Sequence, residues 1–175
     1  MAMTTTKEAI QTDAVFTGAT DAAVTIVCYI DYESAACARL NEVLNQLLLT
    51  HADKLRINIR HFPLANKHQK AMKAAEAVVA AMQEDMIWPM NNILFQNQKK
   101  LGIISLKQHA KEIGCTNKRF LDQVINGTYA WQVREDLMDG ISKGIKDVPA
   151  VYVNDILFED ELSLETITRK IDELV

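Results

Sequence analysis

Residues Val24-Thr-Ile-Val-Cys-Tyr-Ile30 form an uncharged run of seven rich in β-branched side chains. A run of that length without polar alternation reads as a strand buried on both faces, the environment found inside a parallel sheet. Leu40, Val43, Leu44 and Leu47 follow at helical spacing, so Ala35–Leu49 reads as a helix. Leu55-Arg-Ile-Asn-Ile59 then alternates apolar and polar and runs through Arg60-His61-Phe62 into Pro63, which marks a second strand and its end. Strand, helix, strand in that order implies a right-handed crossover and two parallel strands.

The remaining chain is punctuated in the same way. Ala14-Val15-Phe16 reads as a short edge strand before a Thr17-Gly18 turn, and residues 1–13 as a polar, flexible segment. Five helical patterns occupy His68–Met82, Trp88–Phe95, Ser105–Ile113, Lys118–Ile125 and Tyr129–Lys143; three of them end at Gly114, Asn126-Gly127 and Gly144. Trp88, Met90, Leu94 and Phe95 read as core between this block and the sheet. Ala150-Val-Tyr-Val153 and Ile156-Leu157-Phe158 flank Asn154-Asp155, a tight-hairpin signal. Ser163 caps a last helix carrying Leu164, Ile167, Ile171 and Leu174 on one face. The expected architecture is an α/β domain over 14–175 of order βαβ…ββα, with an all-helical insertion over about 66–144.

Composition narrows the functional classes. The net charge is −4 and the basic residues are dispersed, which gives no support to a nucleic-acid surface. No apolar stretch approaches the roughly 20 residues of a membrane span, and the first residues carry no apolar leader, so a cytoplasmic protein is expected. The three cysteines, Cys28, Cys37 and Cys115, are an odd count without repeated spacing, unlike a disulfide framework. His51, His61, His68 and His109 lack metal-ligand spacing, so no metal site is expected. His61 at a strand end reads as a hydrogen-bonded structural residue.

The stretch between the first strand and its helix carries the chemistry. Ser34-Ala-Ala-Cys37 has the spacing of a Cys-x-x-Cys redox motif at a helix start, with serine in the first position. A cysteine there meets unpaired backbone N–H groups and the positive end of the helix dipole, and attacks disulfides as a thiolate. A serine is a good N-cap but forms no disulfide. The chain therefore cannot run a dithiol cycle between positions 34 and 37.

Asp31-Tyr32-Glu33-Ser34-Ala35-Ala36-Cys37, Arg60-His61-Phe62-Pro63-Leu64, His68, Ala74-Ala75-Glu76-Ala77 and Gly144-Ile-Lys-Asp-Val148-Pro149 occur in an order that resembles the DsbA-like branch of the thioredoxin superfamily. The resemblance is to the subgroup also found fused to sodium/proton antiporters, and it covers about residue 20 to the C-terminus. It implies a thioredoxin fold interrupted by a helical domain. It also implies disulfide oxidoreductase ancestry and a cis-proline at Pro149 facing the motif. Ser34 departs from the nucleophilic cysteine of that pattern. Cys28 stands where many relatives place a buried acid. Two functional positions differ together, which fits loss of the dithiol mechanism rather than a single trapping substitution.

On this resemblance Ser34 and Cys37 are the remnant of the catalytic motif, Cys28 supports them from beneath, and Val148 and Pro149 line a groove. Its expected occupants are a peptide, a protein or a small thiol. Three functional readings stand. The first is a degenerate oxidoreductase homologue that keeps its binding groove. The second is a glutathione-dependent transferase or isomerase of kappa-like type, with the Ser34 hydroxyl holding the thiolate and glutathione as the only cofactor in prospect. The third is a single-cysteine redox protein acting through Cys37. A Cys28–Cys37 disulfide is a further option if the Cα atoms fall within about 7 Å. Cys115 reads as an isolated thiol, and Trp131 as a residue lining the groove. The sequence leaves the oligomeric state open.

Overall fold

A computed structural model describes residues 8–175. Five strands, β1 (Thr17–Gly18), β2 (Val24–Ile30), β3 (Leu55–His61), β4 (Ala150–Val153) and β5 (Ile156–Leu157), form one sheet of order β1-β3-β2-β4-β5. The expected α/β class and βαβ…ββα order are present. β2 lies parallel to β3 from Val24↔Leu55 to Ile30↔His61 and antiparallel to β4 from Ile26↔Val153 to Tyr29↔Ala150. Its central place explains its composition, since Val24, Ile26, Cys28, Tyr29 and Ile30 are all buried. Helix α1 (Ala35–Thr50) makes the crossover, and α7 (Leu164–Leu174) packs against it.

Between β3 and β4 lie α2 (Ala71–Met82), α3 (Ile87–Gln96), α4 (Ile103–Glu112), α5 (Phe120–Ile125) and α6 (Ala130–Ser142). Of α2, all residues but Met72 and Lys73 are buried, so its alanines let α3, α5 and α6 approach it closely. It begins at Ala71 rather than His68, because Lys67 and His68 donate their amides to Leu64 O in a turn. In the core expected of α3, Met90 and Leu94 are fully buried and Phe95 nearly so. Trp88 is half-buried and donates Nε1–H to Asn45 Oδ1. The hairpin turn has Asn154 at φ 47° and Asp155 at φ 68°, the left-handed pair that matches the twist of two-residue hairpins.

Two expectations at the N-terminus need correction. The edge strand is Thr17–Gly18, paired antiparallel to β3 (Thr17↔Ile57, Gly18↔Arg56), not Ala14–Phe16. Gly18 reads as a turn residue in sequence. Here it permits φ 115° and a backbone contact so close that a Cβ would stand 2.3 Å from Leu55 O. The expected flexible segment 1–13 is held in place over residues 8–13, and residues 1–7 lie outside the described residues. Ile10 exchanges bonds with Gln83 (N→Oε1 2.8 Å, Nε2→O 2.9 Å), and Thr12 N donates to Gln132 Oε1 at 3.1 Å. Polar character signals mobility, but these groups are satisfied by side chains distant in sequence, Gln83 just past α2 and Gln132 of α6.

Beneath that segment lies Asp136 of α6, fully buried. Its carboxylate accepts from Thr12 Oγ1 (2.6 Å), Arg60 Nε (2.6 Å) and His61 N (3.0 Å), and stands 3.3 Å from His61 Nδ1. Burial pushes this carboxyl up, but the hydrogen bond and charge of His61, the Arg60 guanidinium and the Thr12 hydroxyl outweigh it and hold the group below the usual carboxylate range. A lowered folded-state pKa supplies stability above the ordinary carboxylate value of about 4, and that stability is lost as pH falls through the folded value. Asp136→Ala should therefore cost about 3–5 kcal/mol at pH 7 by removing the buried partner of Arg60 Nε and His61 N, with only Asp139, 3.6 Å from Arg60 Nη2, left to face the guanidinium. The gap to the parent protein should narrow below about pH 4 in urea titrations run across pH. Gly140 faces Phe62, whose Cδ2 would lie 2.6 Å from an added Cβ, so Gly140→Ala should lower stability by about 1–3 kcal/mol in thermal melts.

Candidate functional site

β2 delivers the chain into the turn Asp31–Ser34, and buried Asp31 fixes that turn. Its Oδ1 accepts from Glu33 N (2.7 Å). Its Oδ2 accepts from Leu64 N (2.8 Å) and meets His68 Nδ1 at 2.9 Å. Ser34 N donates to Asp31 O at 3.1 Å. Glu33 Oε2 accepts from Lys70 N (2.9 Å), and Gln98 Nε2 donates to both Tyr32 O and Ser34 O at 2.9 Å. Buried Tyr32 donates its hydroxyl to Asn91 Oδ1 at 3.0 Å and packs on Phe95 with ring centroids 4.8 Å apart. Asp31 and His68 carry the resemblance in sequence, but their contact does not show there. Gln98 left no sequence signal at all, lying 64 residues from Ser34.

Ser34 is the N-cap of α1. Its backbone is extended (φ −79°, ψ 121°) and its Oγ accepts from Cys37 N at 3.2 Å. Ser34 is half-buried, while Cys37, one turn into the helix, is fully buried. Burial pushes the Cys37 thiol up to about 11. The Ser34 hydroxyl and a backbone group of Asp31 pull against that rise, and the charges of Asp31 and Asp147 add to it. Cys28, on β2, is also fully buried; burial first, then the charge of Cys37, drives its pKa far above the ordinary thiol value. Cys28, Cys37 and Cys115 are all free thiols, so the Cys28–Cys37 bridge is not formed. Cys115 is half-buried beyond α4, with Sγ 3.9 Å from Met86 Sδ, and burial together with Glu84 raises it to about 11.

Antiparallel register brings the second half of the site alongside. Because Ala150 pairs with Tyr29, the residues before Ala150 run beside those after Tyr29, at the end of the sheet where the 31–37 turn begins. The Val148–Pro149 bond there is cis. Val148 is buried, and its N–H donates to Oδ1 of its own neighbour Asp147 at 2.9 Å. The structure thus brings Ser34, Cys37, Cys28 and the 147–149 loop to one end of the sheet. Trp131 is 41% exposed on α6 and shares no hydrogen bond with them among the described residues. The histidines are scattered. His51 is 3.6 Å from Asp172, His61 is buried against Asp136, His68 is on Asp31, and His109 Nε2 contacts Lys100 O.

A family model described as Thioredoxin matches residues 11–173. The chain belongs to the thioredoxin family. Among solved structures of this fold, BdbD from Bacillus subtilis superposes with a TM-score of 0.81 at 22% identity, covering 90% of each chain. The thiol-disulfide exchange protein alpha-DsbA2 from Wolbachia pipientis gives 0.78 at 19% identity, covering 91% of this chain and 86% of its own. The fold is thus thioredoxin-like of the DsbA type. Curated relatives include the Na(+)/H(+) antiporter NhaA of Herminiimonas arsenicoxydans, 28% identical over 89% of this chain and 24% of its own length. NhaA 1 of Mycolicibacterium gilvum is 31% identical over 78% of this chain and 22% of its own. The chain spans about a quarter of the length of these relatives and matches their thioredoxin portion alone. Among the described residues no helix is long and apolar enough to cross a membrane. A thioredoxin-like protein of Salmonella enterica among the structural neighbours is described as periplasmic, and the expectation of a cytoplasmic location finds no support among them.

The geometry makes Cys37 a thiol that is almost entirely protonated at neutral pH. Its labelling by a thiol-reactive disulfide should be slow at pH 7, accelerate as pH approaches 11, and match that of an exposed cysteine once the protein is unfolded. Ser34→Ala should cost about 1 kcal/mol of stability through loss of the cap, read by urea denaturation.

Proposed function

We propose that this chain is a degenerate member of the thiol-disulfide oxidoreductases that has lost dithiol exchange and keeps a groove, between Ser34 and Pro149, for an extended peptide or a small thiol. The observation that carries the reading is the Ser34 cap, in which an oxygen accepts from Cys37 N where the family pattern places a nucleophilic sulfur. Dithiol oxidation joins two sulfurs and releases two protons and two electrons; a hydroxyl forms no such bond with Cys37. Backbone groups of the 147–149 loop lie alongside the turn, and strand addition by a peptide needs only such groups.

The glutathione reading draws on one feature. Ser34 Oγ acts as acceptor in the cap, so its hydrogen remains for a thiolate held above the turn. The single-cysteine reading is weakened by the burial and raised pKa of Cys37, which deny a ligand the thiolate at neutral pH.

Insulin reduction in the presence of dithiothreitol tests the main reading. The expected result is no acceleration over the uncatalysed rate, and turnover like that of a dithiol enzyme would overturn it. Ser34→Cys should gain activity. The introduced thiol at the helix start should titrate below the free-cysteine value of about 8.5 and form a disulfide with Cys37. A variant with an ordinary thiol and no turnover would mean that the scaffold around the motif has also lost the chemistry.

A further inference from the structure

Asp147 stands at the mouth of the proposed groove in an unusual arrangement. Its carboxylate is turned back onto its own chain and accepts the N–H of Val148 at 2.9 Å. That amide is the main-chain donor that an incoming strand would use at this loop. Asp147 is itself exposed and forms no ion pair among the described residues. The other carboxylates nearby differ. Asp31 is buried and holds Glu33 N, Leu64 N and His68, while Glu33 accepts from Lys70 N. Of the positive side chains closest in sequence, Lys146 on the same loop is exposed, and Lys143 is held by the Tyr29 hydroxyl at 3.0 Å and Asp139 Oδ2 at 3.3 Å. Burial raises the Cys37 thiol most, and the charges of Asp31 and Asp147 add to that rise, which places the Asp147 charge within reach of the turn.

We infer that Asp147 is the specificity-determining residue of this groove. It covers the Val148 amide until a cationic side chain draws its carboxylate away, so the site takes basic extended peptides and turns away acidic ones. The inference rests on the groove reading given above and deepens it. A lysine or arginine next to the peptide carbonyl pairs with the Asp147 carboxylate, and the Val148 N–H it releases donates to that carbonyl. A ligand carrying carboxylates, glutathione included, meets a like charge and an amide already occupied.

The test uses blocked pentapeptides of alternating valine and lysine, valine and glutamate, or valine and serine, titrated into the full chain and followed through the Val148 and Cys37 backbone amide resonances. The lysine peptide should bind roughly five- to tenfold more tightly than the glutamate peptide at low salt, with a ratio that shrinks as salt is added. Asp147→Asn keeps an acceptor for Val148 N–H without the charge and should bring the two within about twofold. Asp147→Ala uncovers the amide and should bind the serine peptide more tightly than the parent protein does. Because Asp147 is exposed and outside the core, both variants should keep the parent melting curve.

Equal binding of lysine and glutamate peptides by the parent protein would overturn the role of Asp147 while leaving the groove intact. So would a charge preference that survives Asp147→Asn, or a serine-peptide affinity unchanged by Asp147→Ala. No resonance change with any of the three peptides at millimolar concentration, in the parent protein or either variant, would remove the groove itself.

Discussion

The pairing of β2 with strands on both sides sets the rest of this molecule. One neighbour, β3, is parallel and the other, β4, antiparallel, so a single end of β2 gathers three segments distant in sequence. These are the turn that follows Ile30, the Phe62–Leu64 exit from β3 and the 147–149 approach to β4. Asp31 then ties two of them together, because its carboxylate accepts from Glu33 N and Leu64 N at once. A buried carboxylate is costly unless its lone pairs are satisfied; here three donors, including His68, do so. The position of Ser34 follows from that anchoring more than from any contact of its own side chain.

The scaffold was legible because its signals are local. β2, α1 and β3 follow from the apolar run, the helical period and the proline that ends the second strand. Asn154-Asp155 marks the hairpin and Ser163 the last helix, where the structure adds a reciprocal capping box with Thr166. What stayed hidden is long-range. Residues 8–13 are bonded by Gln83, just past α2, and by Gln132 and Asp136 of α6, all more than 70 residues away, and nothing in the polar N-terminal stretch announces them. Gly18 has the sequence character of a turn former, but its missing side chain serves a close approach to Leu55, so the edge strand runs through Thr17–Gly18 and not Ala14–Phe16. At the site, Ser34 and Cys37 were readable from spacing, whereas the Gln98 clamp and the self-bonded Asp147 exist only in three dimensions.

Two free thiols in this region, Cys28 and Cys37, are fully buried. Cys28 sits on β2 and Cys37 on α1; burial raises both thiols, and the charge of Cys37 adds to the rise at Cys28.

Gln98 reaches from the linker after α3 to the carbonyls of both Tyr32 and Ser34. One amide group therefore grips the carbonyls of the two residues that flank Glu33. Asn91 and Asn41 continue that grip inward through Tyr32, joining α3 to α1 by a chain of side-chain bonds. The mouth of the site and the seam between the helical layer and the sheet are consequently parts of one latch, so a swing of one layer against the other would have to unfasten the rim before it could widen the opening.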